Sequence, residues 1–296
     1  MKLPYDLSCY GHTLRHHGTP TQLSGWEASL IRRAIGDTAY FDGIGPWPYA
    51  TLPDTIEQID SLHTAMREQD LVSFSACARP DQSINADIWR NSGFEVIPLK
   101  PHFVHHPRLP FPQRSAKTRA NLSKARRYWK TELSSPLLPA LEEFARWHAV
   151  LNQRKDMSLF TRLPPDHFRN LVNLPGCHLM TAHDEDGFAA AVILMVTDHE
   201  VHCHAQAGAN HAYTRRAFYA LYDAILEHWG KSHTIYLGGV PGGADGPGIE
   251  RFKRRFANGT SDITMVRTIL NPQVSTQLAQ TRGDPKWFPP YRSRVE

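Results

Sequence analysis

The chain has 296 residues, 41% hydrophobic and 21% charged, with a formal net charge of +4. That composition supports one large or two modest folded domains, and it argues against a disordered or fibrous chain. No apolar run approaches the roughly 20 residues a membrane helix needs. The start, Met1-Lys2-Leu3-Pro4-Tyr5, lacks an apolar leader core, and the four cysteines, Cys9, Cys77, Cys177 and Cys203, show no paired spacing. A cytoplasmic protein with reduced thiols is expected.

In chain order, residues 26–34 read as a helix. Residues 40–49 read as an aromatic strand that ends in a turn rich in glycine and proline. Asp54-Thr55-Ile56-Glu57 has the form of a helix cap, and Ile59, Leu62 and Met66 carry that helix onward along one face. Residues 71–76 have the character of a buried strand, 84–91 of a short helix stopped by Gly93, and 94–99 of an alternating strand. This rhythm predicts a mixed α/β layer.

The segment 114–130 reads as a helix with Thr118, Leu122, Ala125 and Trp129 along one stripe. It holds seven of the 33 basic residues and no acid; the other 26 face 29 acids. The chain is therefore slightly acidic apart from this one segment. Arg119, Lys124, Arg126, Arg127 and Lys130 are the candidate contacts to an anionic partner such as RNA, and a solvated basic face is the alternative.

An amphipathic helix over 137–152 and a short helix opening at Pro164 and Pro165 come next. Strands follow over 178–182, 188–196 and 201–207, joined by acidic turns in the manner of antiparallel hairpins. The helix over 214–229 has the clearest period, with Phe218, Leu221, Tyr222, Ile225, Leu226 and Trp229 on one side and Gly230 at its end. Arg215 and Arg216 are expected in its first turn. The helix dipole disfavours them there unless an anion binds at that helix start. His202 and His204 share one face of their strand, with Cys203 on the other as a core residue. His102, His105 and His106 cluster as well, but neither group has a ligand spacing that points to a metal.

After a strand over 234–237 comes Gly238-Gly239-Val240-Pro241-Gly242-Gly243, then Gly246, Gly248 and a helix bearing Ile249, Phe252 and Phe256. Glu250, Arg251, Lys253, Arg254 and Arg255 lie on its other face. A strand, a glycine loop and a basic helix in that order can bind anions through loop amides and a helix start. A surface turn before a solvated helix is the alternative.

Gly238-Gly239 followed by Gly248-Ile249-Glu250-Arg251-Phe252-Lys253-Arg254-Arg255-Phe256 resembles the signature of the Fem-type aminoacyltransferases, members of the wider GNAT superfamily of acyltransferases. Two further stretches resemble the same family. One is Arg119-x-x-Leu122-x-Lys124-Ala125, similar to its basic helix; the other is the aromatic segment 40–49, similar to its acceptor groove. The resemblance implies an α/β protein of two GNAT-like halves (the acyl-CoA N-acyltransferase fold), with mixed, mainly antiparallel sheets flanked by helices. The halves are expected over 1–132 and 133–268, with a tail over 269–296 returning to the first half.

The function implied is an acyltransferase that forms an amide on an amine acceptor, either a small molecule or a peptidyl amine. Lys253 is implied as the cation at the reacting carbonyl, with Phe252 beside it. Arg215, Arg216, Gln206, Gly238, Gly239, Gly248 and Arg254 are implied on the donor side, and Tyr40, Asp42 and Tyr49 on the acceptor side. Gln206-Ala207-Gly208-Ala209-Asn210 departs from the spacing of the family's coenzyme A loop. That departure and the basic helix favour an aminoacyl-tRNA co-substrate. An acyl-CoA co-substrate is the alternative, and a non-catalytic RNA-binding protein on the same fold is a third reading. No tightly bound cofactor and no metal are expected, and the sequence singles out no general base.

Overall fold

A computed structural model describes residues 1–111, 113–155, 162–240, 246–284 and 286–293. Up to residue 99 the elements are α1 (Ser8–Thr13), β1 (Thr19–Thr21), β2 (Leu30–Ala34), β3 (Phe41–Ile44), α2 (Ile56–Glu68), β4 (Leu71–Cys77), α3 (Ala86–Asn91) and β5 (Glu95–Pro98). Next come β6 (His102–His105), α4 (Ala116–Tyr128), β7 (Lys130–Ser134), α5 (Leu138–Lys155), α6 (Pro165–Arg169), β8 (Cys177–Asp184), β9 (Gly187–Val196) and β10 (Glu200–Gly208). The chain continues through α7 (Asn210–Thr214), α8 (Ala217–Trp229), β11 (Thr234–Gly238), α9 (Gly246–Lys253) and β12 (Gly259–Ser261), and closes with β13 (Thr264–Ile269) and α10 (Pro272–Thr281).

The elements sort into two compact units, each built on one mixed sheet flanked by helices. The terminal unit joins Tyr5–Leu99 to the chain from Ile263 onward, and the central unit is formed chiefly by Lys100–Lys155 and Pro164–Asp262. The boundary expected between residues 132 and 133 falls within β7, inside the central unit, and β13 lies in the terminal unit.

In the terminal unit the strand order is β1-β2-β3-β4-β13-β5, with β3 and β4 the parallel pair. Thr55 caps α2 by accepting from the Gln58 amide, as the sequence pattern implies, and Ile59, Leu62, Ala65 and Met66 are buried. The helix expected over 26–34 is replaced by a loop and strand β2. There Leu30, Ile31 and Arg33 are buried, and Arg33 meets a buried partner across the sheet that outweighs local propensity. That partner is Asp42, fully buried, with one carboxylate oxygen 2.8 Å from Arg33 Nε and the other 2.9 Å from Arg292 Nε. Arg292 also donates to the Ala34 carbonyl at 2.7 Å, which ties the end of the chain to β2 and β3. Removing one member of such a buried set costs about 3–5 kcal/mol, because the remaining charge is stranded.

The central unit has strand order β12-β6-β11-β10-β9-β8-β7. The hairpins β8–β9 and β9–β10 are antiparallel, as expected. Strands β10 and β11 are the parallel pair, matched only over Glu200–His202 and Thr234–Tyr236. Beyond those residues β10 stays with β9 as far as Gly208, while β11 stays with β6. The sheet therefore forks. Helix α8 covers one face, burying Phe218, Leu221, Tyr222, Ile225, Leu226 and Trp229. Each such side chain contributes on the order of 1.5–3 kcal/mol by leaving water.

Candidate active site

The open end of the fork is where the central unit gathers its polar side chains. Gly238 closes β11 with φ +78°, a left-handed conformation that glycine adopts without strain. Gly239 follows, and a Cβ there would stand 2.9 Å from the His102 ring, so only glycine fits. The Lys253 ammonium, from the last turn of α9, donates to the Gly239 carbonyl at 2.7 Å. Phe252 and Phe256 hold α9 against Tyr219 and Tyr222 of α8, with ring centroids 5.1–5.9 Å apart. Burial pushes the Lys253 ammonium down to about 8. His102, half-buried beside that cation, is lowered to about 4, first by desolvation and then by Lys253, and is neutral at pH 7.

The opposite prong carries Gln206. Its side-chain oxygen accepts from the Tyr222 hydroxyl at 2.7 Å. That contact depends on a bulge. Cys203 pairs with Leu194 but Ala205 pairs with Ile193, so His204 is the extra residue. Strict alternation would put Cys203 and Gln206 on opposite faces. The bulge turns both toward α8, while His204 meets His167 of α6, with ring nitrogens 3.1 Å apart.

The remaining expected donor-side residues lie elsewhere. Arg215 and Arg216 precede α8 instead of forming its first turn: Arg215 caps the C-terminus of α7, and Arg216 takes a left-handed conformation with φ 65° before Ala217. The Arg215 guanidinium lies 4.5 Å over the Tyr128 ring and 3.9 Å from Asp184. Arg254 binds Glu250 one turn back at 2.6 Å. Among the described residues nothing lies within 4 Å of a Cβ at Gly248, and none of them requires glycine there. The loop residues Gly242 and Gly243 lie outside the described residues.

The acceptor candidates belong to the terminal unit. Tyr40 is exposed, but Asp42 is spent on Arg33 and Arg292, and Tyr49 is buried edge-on against Tyr5. Neither of the last two offers a surface to a ligand.

Helix α4 begins at its Ser115 cap and buries Thr118, Leu122 and Ala125, as the stripe predicts. Lys130 starts β7 instead of continuing the helix. Arg114, Arg119, Leu122, Ser123, Arg126 and Arg127 line a shallow groove. Two of its arginines are engaged from below. Asp223 of α8, its side chain 2% exposed, meets Arg114 at 2.8 Å and Arg126 at 2.6 Å, and Arg126 also meets Glu227. Arg126 is therefore an anchor between helices instead of a free contact for RNA. Lys124, Arg127 and Lys130 reach no acid among the described residues. Periodicity reads Tyr222 and Cys203 only as core and His102 only as part of a histidine cluster, and nothing in the spacing singles out Asp223.

Among the described residues no group of three or more His, Cys, Asp or Glu could hold a metal ion, and no helix is long and apolar enough to cross a membrane.

Residues 116–254 match the family model described as acetyltransferase (GNAT) domain. This stretch spans α4 to α9, including both prongs of the fork. The central unit is a GNAT-type domain, and the protein is an acyltransferase. The fold as a whole is similar to several solved structures. FemX matches with a TM-score of 0.60 at 9% identity, over 84% of this chain and 86% of its own. L-PGS from Bacillus licheniformis matches at 0.58 and 14%, over 87% and 90%. The C-terminal domain of a putative lysylphosphatidylglycerol synthetase from Agrobacterium fabrum matches at 0.60 and 14%, over 91% and 92%. No curated protein matches the sequence.

Proposed function

We propose that this protein moves an aminoacyl group from aminoacyl-tRNA onto an amine acceptor, a small molecule or a peptidyl amine, in the cytoplasm, forming an amide. The observation that carries the reading is the Lys253 ammonium held at Gly239 beside the open fork. Attack of an amine on an ester carbonyl builds negative charge on the carbonyl oxygen. A fixed cation in a partly dry site stabilises that charge far better than water does. Lys253 is the catalytic residue in this reading, with Phe252 setting its helix against α8. Lys124, Arg119, Arg127 and Lys130 supply the RNA contacts, and Arg215 and Arg216 add charge where α7 meets α8. On the acceptor side only Tyr40 of the expected residues is exposed. The aminoacyl donor draws support from the fold shared with a putative lysylphosphatidylglycerol synthetase, whose name specifies an amino acid as the group attached.

An acyl-CoA donor is the second reading, favoured by the acetyltransferase description of the matched domain. The two separate in one assay. Acyl transfer is measured with a charged tRNA pool, with and without ribonuclease, beside a series of acyl-CoA thioesters. Turnover that requires intact tRNA supports the first reading. Turnover of an acyl-CoA that ribonuclease does not affect replaces it with the second.

A further inference from the structure

We propose that Gln206 supplies the second donor to the reacting carbonyl oxygen, facing Lys253 across the fork, and that Tyr222 is a positioning residue that fixes which way its amide points. The proposal rests on the acyl-transfer reading given above.

The last parallel rung joins His202 to Tyr236. Counting out from it, Gln206 lies four residues along β10, one of them absorbed by the bulge, and Gly239 lies three residues along from Tyr236. At about 3.3 Å per residue both stand roughly 7–10 Å beyond the rung, one on each prong. Gln206 points to the α8 face, and α9 packs on that same face through Phe252 and Phe256. Tyr222, which bonds Gln206, also packs edge-on against Phe252, the residue before Lys253, with ring centroids 5.2 Å apart.

The buried Tyr222 hydroxyl donates to Gln206 Oε1 at 2.7 Å. The amide is thereby oriented with its NH2 group turned from α8. Gln206 is half-buried, and its NH2 group has no hydrogen-bond partner among the described residues. Held by Tyr222, the Gln206 amide thus presents two N–H donors to the gap.

In the reaction, the amine lone pair forms the new N–C bond while the carbonyl π electrons move to oxygen. Gln206 Nε2 and Lys253 Nζ donate to that oxyanion. Collapse breaks the bond to the leaving oxygen or sulfur, which takes up the proton that the amine nitrogen releases.

Two measurements test this, each on the full chain with folding checked by thermal melting. In steady-state acyl transfer, Gln206→Glu and the isosteric Gln206→Met should each lower kcat about 10²–10³-fold, with acceptor KM changed less than about twofold. Tyr222→Phe releases the amide and should lower kcat about tenfold. In the second measurement, acetate serves as a carboxylate probe for the two donors and is followed by NMR saturation transfer. Gln206→Glu and Lys253→Ala should each weaken acetate binding more than tenfold. If the wild type transfers no acyl group, the functional reading fails and the acetate series still decides the site. Gln206 variants that bind acetate and turn over like the wild type would overturn the proposal.

Discussion

Lys253 and Gly239 are joined by a single hydrogen bond, ammonium to carbonyl, at 2.7 Å. A carbonyl partner holds the amine in place without neutralising it, so the charge remains available to a substrate. Replacing Lys253 with Ala should leave the melting temperature near that of the wild type and lower kcat about 10²–10³-fold. The same bond predicts a pH profile. The ammonium is the working form, and burial has brought it down to about 8. The rate should be level below that pH and fall about tenfold per unit above it. Lys253→Arg keeps its charge, so whatever activity it retains should lack this alkaline limb.

Gly239 is sterically committed to His102. Gly239→Ala would set a methyl group 2.9 Å from the imidazole and shift the carbonyl that holds Lys253. Activity should drop by at least tenfold, and the double variant Gly239→Ala/His102→Ala should recover most of it. Additive losses in that cycle would show that the ring is not what excludes the methyl group.

The fold was legible where one period dominates. Phe218 to Trp229 repeat at helical spacing, and β8, β9 and β10 stand between acidic turns, so these elements appear in the structure close to where they were expected. Residues 26–34 were not legible as a strand, because Trp26, Leu30 and Ile31 also fit a helical face. What selects the strand is Asp42, a distant residue. The candidate site was legible as to Lys253 and its two glycines, which share one continuous motif. Gln206 was readable only through the family resemblance, and Tyr222 not at all, since their contact needs a one-residue bulge at His204 that no periodicity announces.

Arg126 and Arg127 are neighbours with opposite expected behaviour. Arg126→Gln removes one of two partners from the buried Asp223 and should destabilise the central unit by on the order of 1–3 kcal/mol, the exposed side of the pair being screened. Arg119→Gln with Arg127→Gln should leave melting within about 1 °C of the wild type. It should instead flatten the salt dependence of RNA binding, because fewer counterions are released. An unchanged salt slope in that double variant would remove the groove from the RNA surface.

Stability should also respond to acid in a defined direction. Burial lowers His204 to about 3 and His102 to about 4, against an ordinary value near 6.5 in the unfolded chain. The unfolded state therefore binds more protons between those limits. The contribution of these two groups is complete above about pH 6.5 and is lost progressively as pH falls toward 4 and then 3. Denaturant midpoints measured from pH 7 to 4 should decline over this window, and His204→Gln should reduce the slope. A midpoint that stays flat to pH 4 would contradict the burial of these rings.

The position of β13 has a consequence for how the chain is made. It lies between β4 and β5, pairing antiparallel with both. Until Thr264–Ile269 leave the ribosome, that sheet has a missing plank, and the edges of β4 and β5 face each other unpaired. The whole central unit is synthesised in the meantime, and its sheet needs nothing made later than β12. Synthesis thus imposes an order, with the catalytic unit completed first and the unit that begins the chain left open until last. The exposed edges of β4 and β5 are the part of the nascent chain in greatest need of protection from a neighbour.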